Sequence, residues 1–196
     1  MKIAIIKYSA GNIRSVDCAL RRLGIKAELT ADKEKLLAAD KIIFPGVGEA
    51  ETSMNHLKEK GLDKFIADLK QPVLGICLGM QLMCSHSEEG NVNCLGIFDT
   101  EVIRFTPQKH EDKVPHMGWN TIENVKSDLF KGFPENEFVY FVHSFYVPVS
   151  EFTIAETNYI LPFSAALHKD NFYATQFHPE KSSSPGELIL KNFLEL

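Results

Sequence analysis

The sequence predicts an α/β fold, a three-layer sandwich with a mostly parallel central sheet and additional antiparallel strands in its C-terminal half. Three observations lead there. Short β-rich apolar runs alternate with helical patterns through the N-terminal half, the rhythm of βαβ units. Gly75-Ile76-Cys77-Leu78-Gly79 falls where an apolar run gives way to a helical one, and its glycines suit a tight strand-to-helix turn. Beyond Asn91, strand-like runs succeed one another with no long helix between them, which calls for antiparallel or mixed pairing.

Taken in order, Ile3 to Ile6 is a strand, and Asn12 to Leu23 places Ile13, Val16, Leu20 and Leu23 at helical spacing before Gly24 stops it. Lys41 to Phe44 reads as a second buried strand ending at Pro45-Gly46, and Met54 to Leu69 as a helix broken near Gly61. Val73 to Ile76 is another apolar strand, followed by an apolar helix from Leu78 to about Cys84. Strands are then expected at Gly96-Ile97-Phe98, Glu101 to Phe105, Trp119 to Val125, Phe138 to Val142, Thr153 to Thr157, Ala165 to His168 and Tyr173 to Gln176, with one helical turn at Ser127 to Phe130. The last helix carries its own start signal: Ser184 as N-cap, Pro185 at the first helical position and Glu187 closing a capping box. Residues 1–196 contain no repeat, low-complexity tract or long linker and read as one domain.

Composition narrows the function classes. The chain is 44% hydrophobic and 24% charged, ordinary globular values. A net charge of −5 argues against non-specific binding to nucleic acid or anionic lipid. No apolar run approaches membrane-spanning length and none resembles a signal peptide, so a soluble, cytoplasmic protein is expected. The four cysteines, Cys18, Cys77, Cys84 and Cys94, form no C-x-x-C pair, which speaks against a zinc site and leaves free thiols as the expectation in a reducing compartment.

Only Cys77 has distinctive surroundings. G-x-C-x-G between strand and helix is the thiol form of the nucleophile elbow, where strand and helix crowd together and the residues at −2 and +2 must be small. The helix beginning beyond it turns unpaired N–H groups and a positive dipole end toward the sulfur, which favours the thiolate, and Leu78 N–H is placed to receive an oxyanion. By itself the motif also fits a buried cysteine at a Gly-rich strand end. A base is available in Gln176-Phe177-His178-Pro179-Glu180-Lys181-Ser182. Pro179 biases His178 toward extended geometry, so that His178 and Glu180 project to one side with Cα atoms about 6.5 Å apart, close enough for carboxylate to hold imidazole. A surface turn with a chance His and Glu is the competing reading of that segment, and His143 is the one rival base among the other histidines. Pro45-Gly46-Val47-Gly48 offers backbone N–H groups that glycine lets turn toward an oxyanion, or an ordinary strand-to-helix turn.

Together these segments resemble the class I, triad-type glutamine amidotransferases, over essentially the whole chain. Within that class, Tyr8-x-x-Gly11-Asn12-x-x-Ser15, Pro45-Gly46-Val47-Gly48 with Met54 beyond it, and Pro115-His116-Met117-Gly118-Trp119-Asn120 are similar to the glutaminase subunits that serve imidazole glycerol phosphate synthase in histidine biosynthesis. The resemblance implies a Cys77, His178, Glu180 triad, an oxyanion site at Gly46, Val47, Gly48 and Leu78, and glutamine contacts from Gln81, Ser144 and Phe145. It also implies a gated oxyanion loop and a separate cyclase subunit, forming a heterodimer with an ammonia passage and meeting this chain near Asn12 and Trp119. That partner would join ammonia to a phosphorylated ribulosyl formimino intermediate, yielding imidazole glycerol phosphate and an aminoimidazole carboxamide ribonucleotide. Neither a metal nor an organic cofactor is required. A glutaminase subunit of another synthase, such as anthranilate synthase, a partner-independent cysteine hydrolase, and a non-catalytic binding protein are the alternatives.

Overall fold

The computed structural model describes residues 1–8, 13–134 and 136–196. Its N-terminal part runs β1 (Ile3–Ile6), α1 (Ile13–Arg22), β2 (Glu28–Thr30), α2 (Lys33–Leu37), β3 (Lys41–Gly46), α3 (Ala50–Glu59), α4 (Asp63–Ala67), β4 (Val73–Cys77) and α5 (Leu78–Met83). Strands then dominate: β5 (His86–Ser87), β6 (Val92–Asn93), β7 (Glu101–Arg104), β8 (His116–Thr121), β9 (Phe138–His143), β10 (Phe145–Tyr146), β11 (Thr153–Tyr159), β12 (Leu161–Lys169) and β13 (Phe172–Thr175), before α6 (Ser183–Glu195) closes the chain.

The central sheet has seven strands in the order β11-β12-β13-β4-β3-β1-β2. From β13 to β2 neighbours are parallel, whereas β11, β12 and β13 pair antiparallel. Alternation along the strands builds two apolar layers. Ile3, Ile5, Ile43, Leu74 and Ile76 face α1 and α6, through Val16, Leu20, Ile189 and Phe193. Ala4, Ile6, Ile42, Phe44 and Val73 face α2 to α5, through Leu36, Met54, Ile66 and Met80. Helices therefore cover both faces, as expected of a three-layer sandwich. A four-stranded sheet, β10-β7-β5-β6, and the β8-β9 hairpin lie outside it.

Several elements differ from the sequence expectation. Strand β2 and helix α2 precede β3, which is therefore the third strand rather than the second; α2 is set by Asp32, whose carboxylate accepts from the N–H of Glu34 at 2.9 Å and of Lys35 at 3.4 Å. Gly96-Ile97-Phe98 is not a strand. Its three N–H groups bond the carbonyls of Cys84 and Met83, satisfying the open end of α5 instead of a ladder. The strand placed at Trp119 to Val125 runs earlier, over β8. Helix α6 starts at Ser183 with Ser182 at the N-cap, and the Ser184–Glu187 capping box does not form. The Ser182 hydroxyl is engaged elsewhere, donating to the His178 carbonyl at 2.6 Å and accepting from Tyr140 N–H at 2.9 Å.

Candidate active site

Cys77 closes β4 and opens α5 with φ 54° and ψ −108°, a left-handed backbone that a non-glycine residue adopts only when its surroundings enforce it. The enforcement is visible. A Cβ on Gly79 would collide with the Phe44 carbonyl, and one on Gly75 would lie 2.9 Å from Met83 Sδ, so the glycines at +2 and −2 let α5 rest directly on β3 and β4. The sulfur-bearing residue is 8% exposed and lines a cavity of about 340 Å³.

His178 reaches the same cavity from the far end of the chain. Strand β13 runs parallel to β4 with Thr175 opposite Ile76, so the residues following each strand emerge side by side above the sheet. His178 N–H donates to the Tyr140 carbonyl at 2.9 Å, which fixes the backbone. Its Nδ1 lies 2.8 Å from Glu180 Oε1, with both side chains almost wholly buried. His178 is extended as expected, but Glu180 comes round on a 3-10 turn at Pro179–Lys181 rather than by strand alternation. A carboxylate can only accept, so Nδ1 carries the proton and Nε2 is left for Cys77. Burial disfavours the imidazolium; the charge of Cys77 and the hydrogen bond to it, then Glu180, outweigh that and push the His178 pKa up to about 10. Glu180, His178 and Cys77 thus stand in line, with Nε2 of the ring turned to the sulfur.

The rival, His143, also lines the cavity but both of its ring nitrogens are engaged. Nδ1 donates to the Phe145 carbonyl at 2.7 Å, so Nε2 accepts from His116 Nδ1 at 3.1 Å. Desolvation pulls the His143 pKa down to about 3 and leaves it neutral.

Val47, Gly48 and Leu78 border the cavity beside Cys77, with Gly48 at φ +104°. Gly46 does not border it. It sits opposite Cys77 in the β3–β4 register, packed against Leu78 and beneath the Tyr8 hydroxyl. Gln81, Ser144 and Phe145 form another wall. Gln81 Nε2 donates to the Phe145 carbonyl at 3.0 Å and to Gln176 Oε1 at 2.9 Å, which uses both of its N–H groups and leaves only its oxygen for a ligand. Trp119 stands apart from the cavity, 52% exposed on β8 and edge-on to Tyr140. Asn12 lies outside the described residues.

Comparison with known families places the chain. The family model described as glutamine amidotransferase class-I matches residues 4–196. The chain belongs to that family. Imidazole glycerol phosphate synthase subunit HisH of Bacteroides fragilis (strain YCH46) is 78% identical to this amidotransferase over 196 residues, covering all of both chains. The subunit HisH of Escherichia coli (strain K12) is 44% identical over 198 residues, again covering both chains completely. Among solved structures, one described as a glutamine amidotransferase superposes with a TM-score of 0.74 at 20% identity, covering 100% of this chain and 98% of its own. Another glutamine amidotransferase, from Thermotoga maritima, gives 0.65 at 17% identity, covering 100% and 96%. At those identities the structures speak for the amidotransferase fold alone.

Three cavity or near-cavity residues of this amidotransferase carried no sequence signal that assigned them a role. Glu89 lines the cavity and accepts from Ala50 N–H at 2.9 Å; burial raises its pKa, and it stands in a polar loop with nothing local to distinguish it. Lys181 was visible within the closing motif but had no assignment, and its ammonium lies over the Tyr140 ring. Gln176 is fully buried beside Cys77.

Proposed function

We propose that this chain is the glutaminase subunit of imidazole glycerol phosphate synthase in histidine biosynthesis, hydrolysing glutamine and passing the ammonia to a cyclase subunit. The chemistry is carried by one observation, the buried Glu180–His178 pair opposing Cys77 on its left-handed elbow. The identity of the complex rests on full-length likeness to the HisH subunits.

In the proposed course the Cys77 thiolate attacks the γ-carboxamide carbon of glutamine, and the negative charge passes to the carbonyl oxygen. Leu78 N–H and the Val47-Gly48 segment receive that oxyanion. Imidazolium His178 donates its Nε2 proton to the departing nitrogen as the C–N bond breaks, releasing ammonia and leaving a γ-glutamyl thioester. Neutral His178 then takes a proton from water, whose oxygen attacks the thioester, and collapse expels the thiolate with glutamate formed. Glu180 holds the imidazole tautomer throughout and stabilises the charged ring. At the far wall, the Gln81 oxygen and the Glu89 carboxylate suit the ammonium of an amino acid, and backbone N–H groups at Ser144 and Phe145 suit its carboxylate. Residues 1–196 act as a single domain in this scheme, in the cytoplasm, where histidine is assembled. Among the described residues no helix is long and apolar enough to cross a membrane.

Ammonia released into neutral water becomes ammonium, so it must reach the cyclase through a protected passage. The partner surface we assign is the β8–β9 hairpin, where Met117, Trp119 and Phe138 are 67%, 52% and 53% exposed. Trp119 sits opposite Tyr140 on the face that also carries Lys181 near His178. Trp119→Ala is expected to weaken cyclase binding about tenfold or more, as for a central aromatic anchor; unchanged affinity by calorimetry removes the assignment.

Release of glutamate from glutamine, raised by adding the cyclase and its ligand, is the direct test of the reading. Turnover of esters or peptides without the partner points to an independent hydrolase, and absence of both turnover and thiol labelling points to a binding protein. His178→Ala is expected to lower kcat roughly 10³-fold or more, whereas Glu180→Gln is expected to be milder, because it removes orientation and not the proton carrier. Since Glu180 raises the pKa of His178, Glu180→Gln should shift loss of the imidazolium to lower pH, read from the ring nitrogens by NMR.

A further inference from the structure

The buried amide of Gln176 has no part in the mechanism above. We infer that Gln176 is a positioning residue for the nucleophile: its Nε2–H donates to the Cys77 sulfur and selects the thiolate, and Gln81 holds it in that orientation. This rests on the reading of Cys77 as the nucleophile.

The orientation of the network follows from one backbone carbonyl. Phe145 O can only accept, so the Gln81 atom 3.0 Å from it is nitrogen. The second N–H of that nitrogen points to Gln176 at 2.9 Å and requires an oxygen there. Gln176 then has no choice but to turn its own nitrogen to the Cys77 sulfur, 3.7 Å away. His143 Nδ1 donates to the same carbonyl at 2.7 Å.

Besides His178, the sulfur has two hydrogen-bonding neighbours with opposite preferences. The Val142 carbonyl, 3.8 Å away, can accept from a thiol and offers nothing to a thiolate. An N–H donor serves both states but binds the anion more strongly. Gln176 therefore counters Val142, adding direction to the charge that His178 supplies. A residue there for packing alone would need no amide, whose burial is costly unless it is bonded.

The test is the rate of Cys77 alkylation by iodoacetamide against pH, followed by mass spectrometry of the Cys77 peptide in the full chain, with exposed Cys18 as internal reference. Gln176→Met removes the donor at similar volume. Gln176→Glu keeps an oxygen for Gln81 but sets an acceptor against the sulfur. Gln81→Leu frees Gln176 without touching Cys77. Both Gln176 variants are expected to slow Cys77 alkylation at pH 7 roughly tenfold and to move its profile to higher pH, with Gln176→Glu the more affected and Cys18 unchanged. Gln81→Leu should give a smaller loss in the same direction, and it decides the matter if neither Gln176 variant folds. A parental profile in any folded Gln176 variant, or in Gln81→Leu when it is the only one that folds, overturns the inference. No glutamine or cyclase is present, so a shifted profile in a protein that fails to hydrolyse glutamine sinks only the substrate reading.

Discussion

Cys77→Ala is expected to abolish glutamine hydrolysis, by about 10⁴-fold or more, while the assembled complex still makes product from added ammonium salts. The size follows from the chemistry: without the sulfur there is no thioester, and His178 alone cannot raise water at the elbow to the same nucleophilicity. The sparing of ammonia-fed synthesis follows from the architecture. Cys77 is 8% exposed and its side chain is small, so alanine leaves the elbow, the cavity and the β8–β9 face in place. Two assays on one preparation check it, glutamate release and product formation with ammonium chloride. Retained glutamine hydrolysis would remove Cys77 as nucleophile; loss of the ammonia-fed reaction would mean that the substitution damaged the interface.

Gly79→Ala should be among the most damaging single-carbon additions to the fold. Its Cβ would enter the Phe44 carbonyl, and the next nearest atom, Phe44 C at 3.0 Å, is also backbone. Phe44 lies in β3, held by β1 on one side and β4 on the other, so it cannot retreat. The strain must be relieved by lifting α5 off the sheet, which takes Leu78 and Gln81 from the cavity wall and opens the layer containing Met80 and Met83. A loss of about 3 kcal/mol or more in guanidinium unfolding is expected, with glutaminase activity lost in whatever remains folded. Gly75→Ala should be less severe, because its first contact is the end of the flexible Met83 side chain. Equal stability of Gly79→Ala and the parent protein would contradict the packing of α5 on β3.

The contrast between the two halves of the chain explains what could be read in advance. In the N-terminal half the longer strands and helices are announced by local periodicity, and the layers follow once parallel strands need helices on both faces. Short elements escaped: β2 and α2 are too brief to show a period. Gly96-Ile97-Phe98 looked like a strand because its apolar side chains sit near the second core, yet its backbone groups are claimed by the end of α5. Ser184, Pro185 and Glu187 formed a plausible cap, but the helix starts earlier, where Ser182 is tied to His178 and Tyr140. At Gly96-Ile97-Phe98 and at Ser182, contacts outside the local pattern overrode a local preference.

The same division applies to the site. Residue order alone settles which chemical groups exist and how Cys77 is presented, because an elbow is a local object: two glycines, one strand end and one helix start within five residues. It also supplied the His178–Glu180 pair, two residues apart. Folding is what brings these two local objects face to face, through the parallel pairing of β13 with β4, residues nearly a hundred positions apart. It also sets the orientations of Gln81 and, through it, Gln176, since an amide is oriented by the partner that it meets, and the Phe145 carbonyl that Gln81 meets lies 64 residues away. Sequence names donors and acceptors; which of them meet depends on long-range packing that no local pattern encodes.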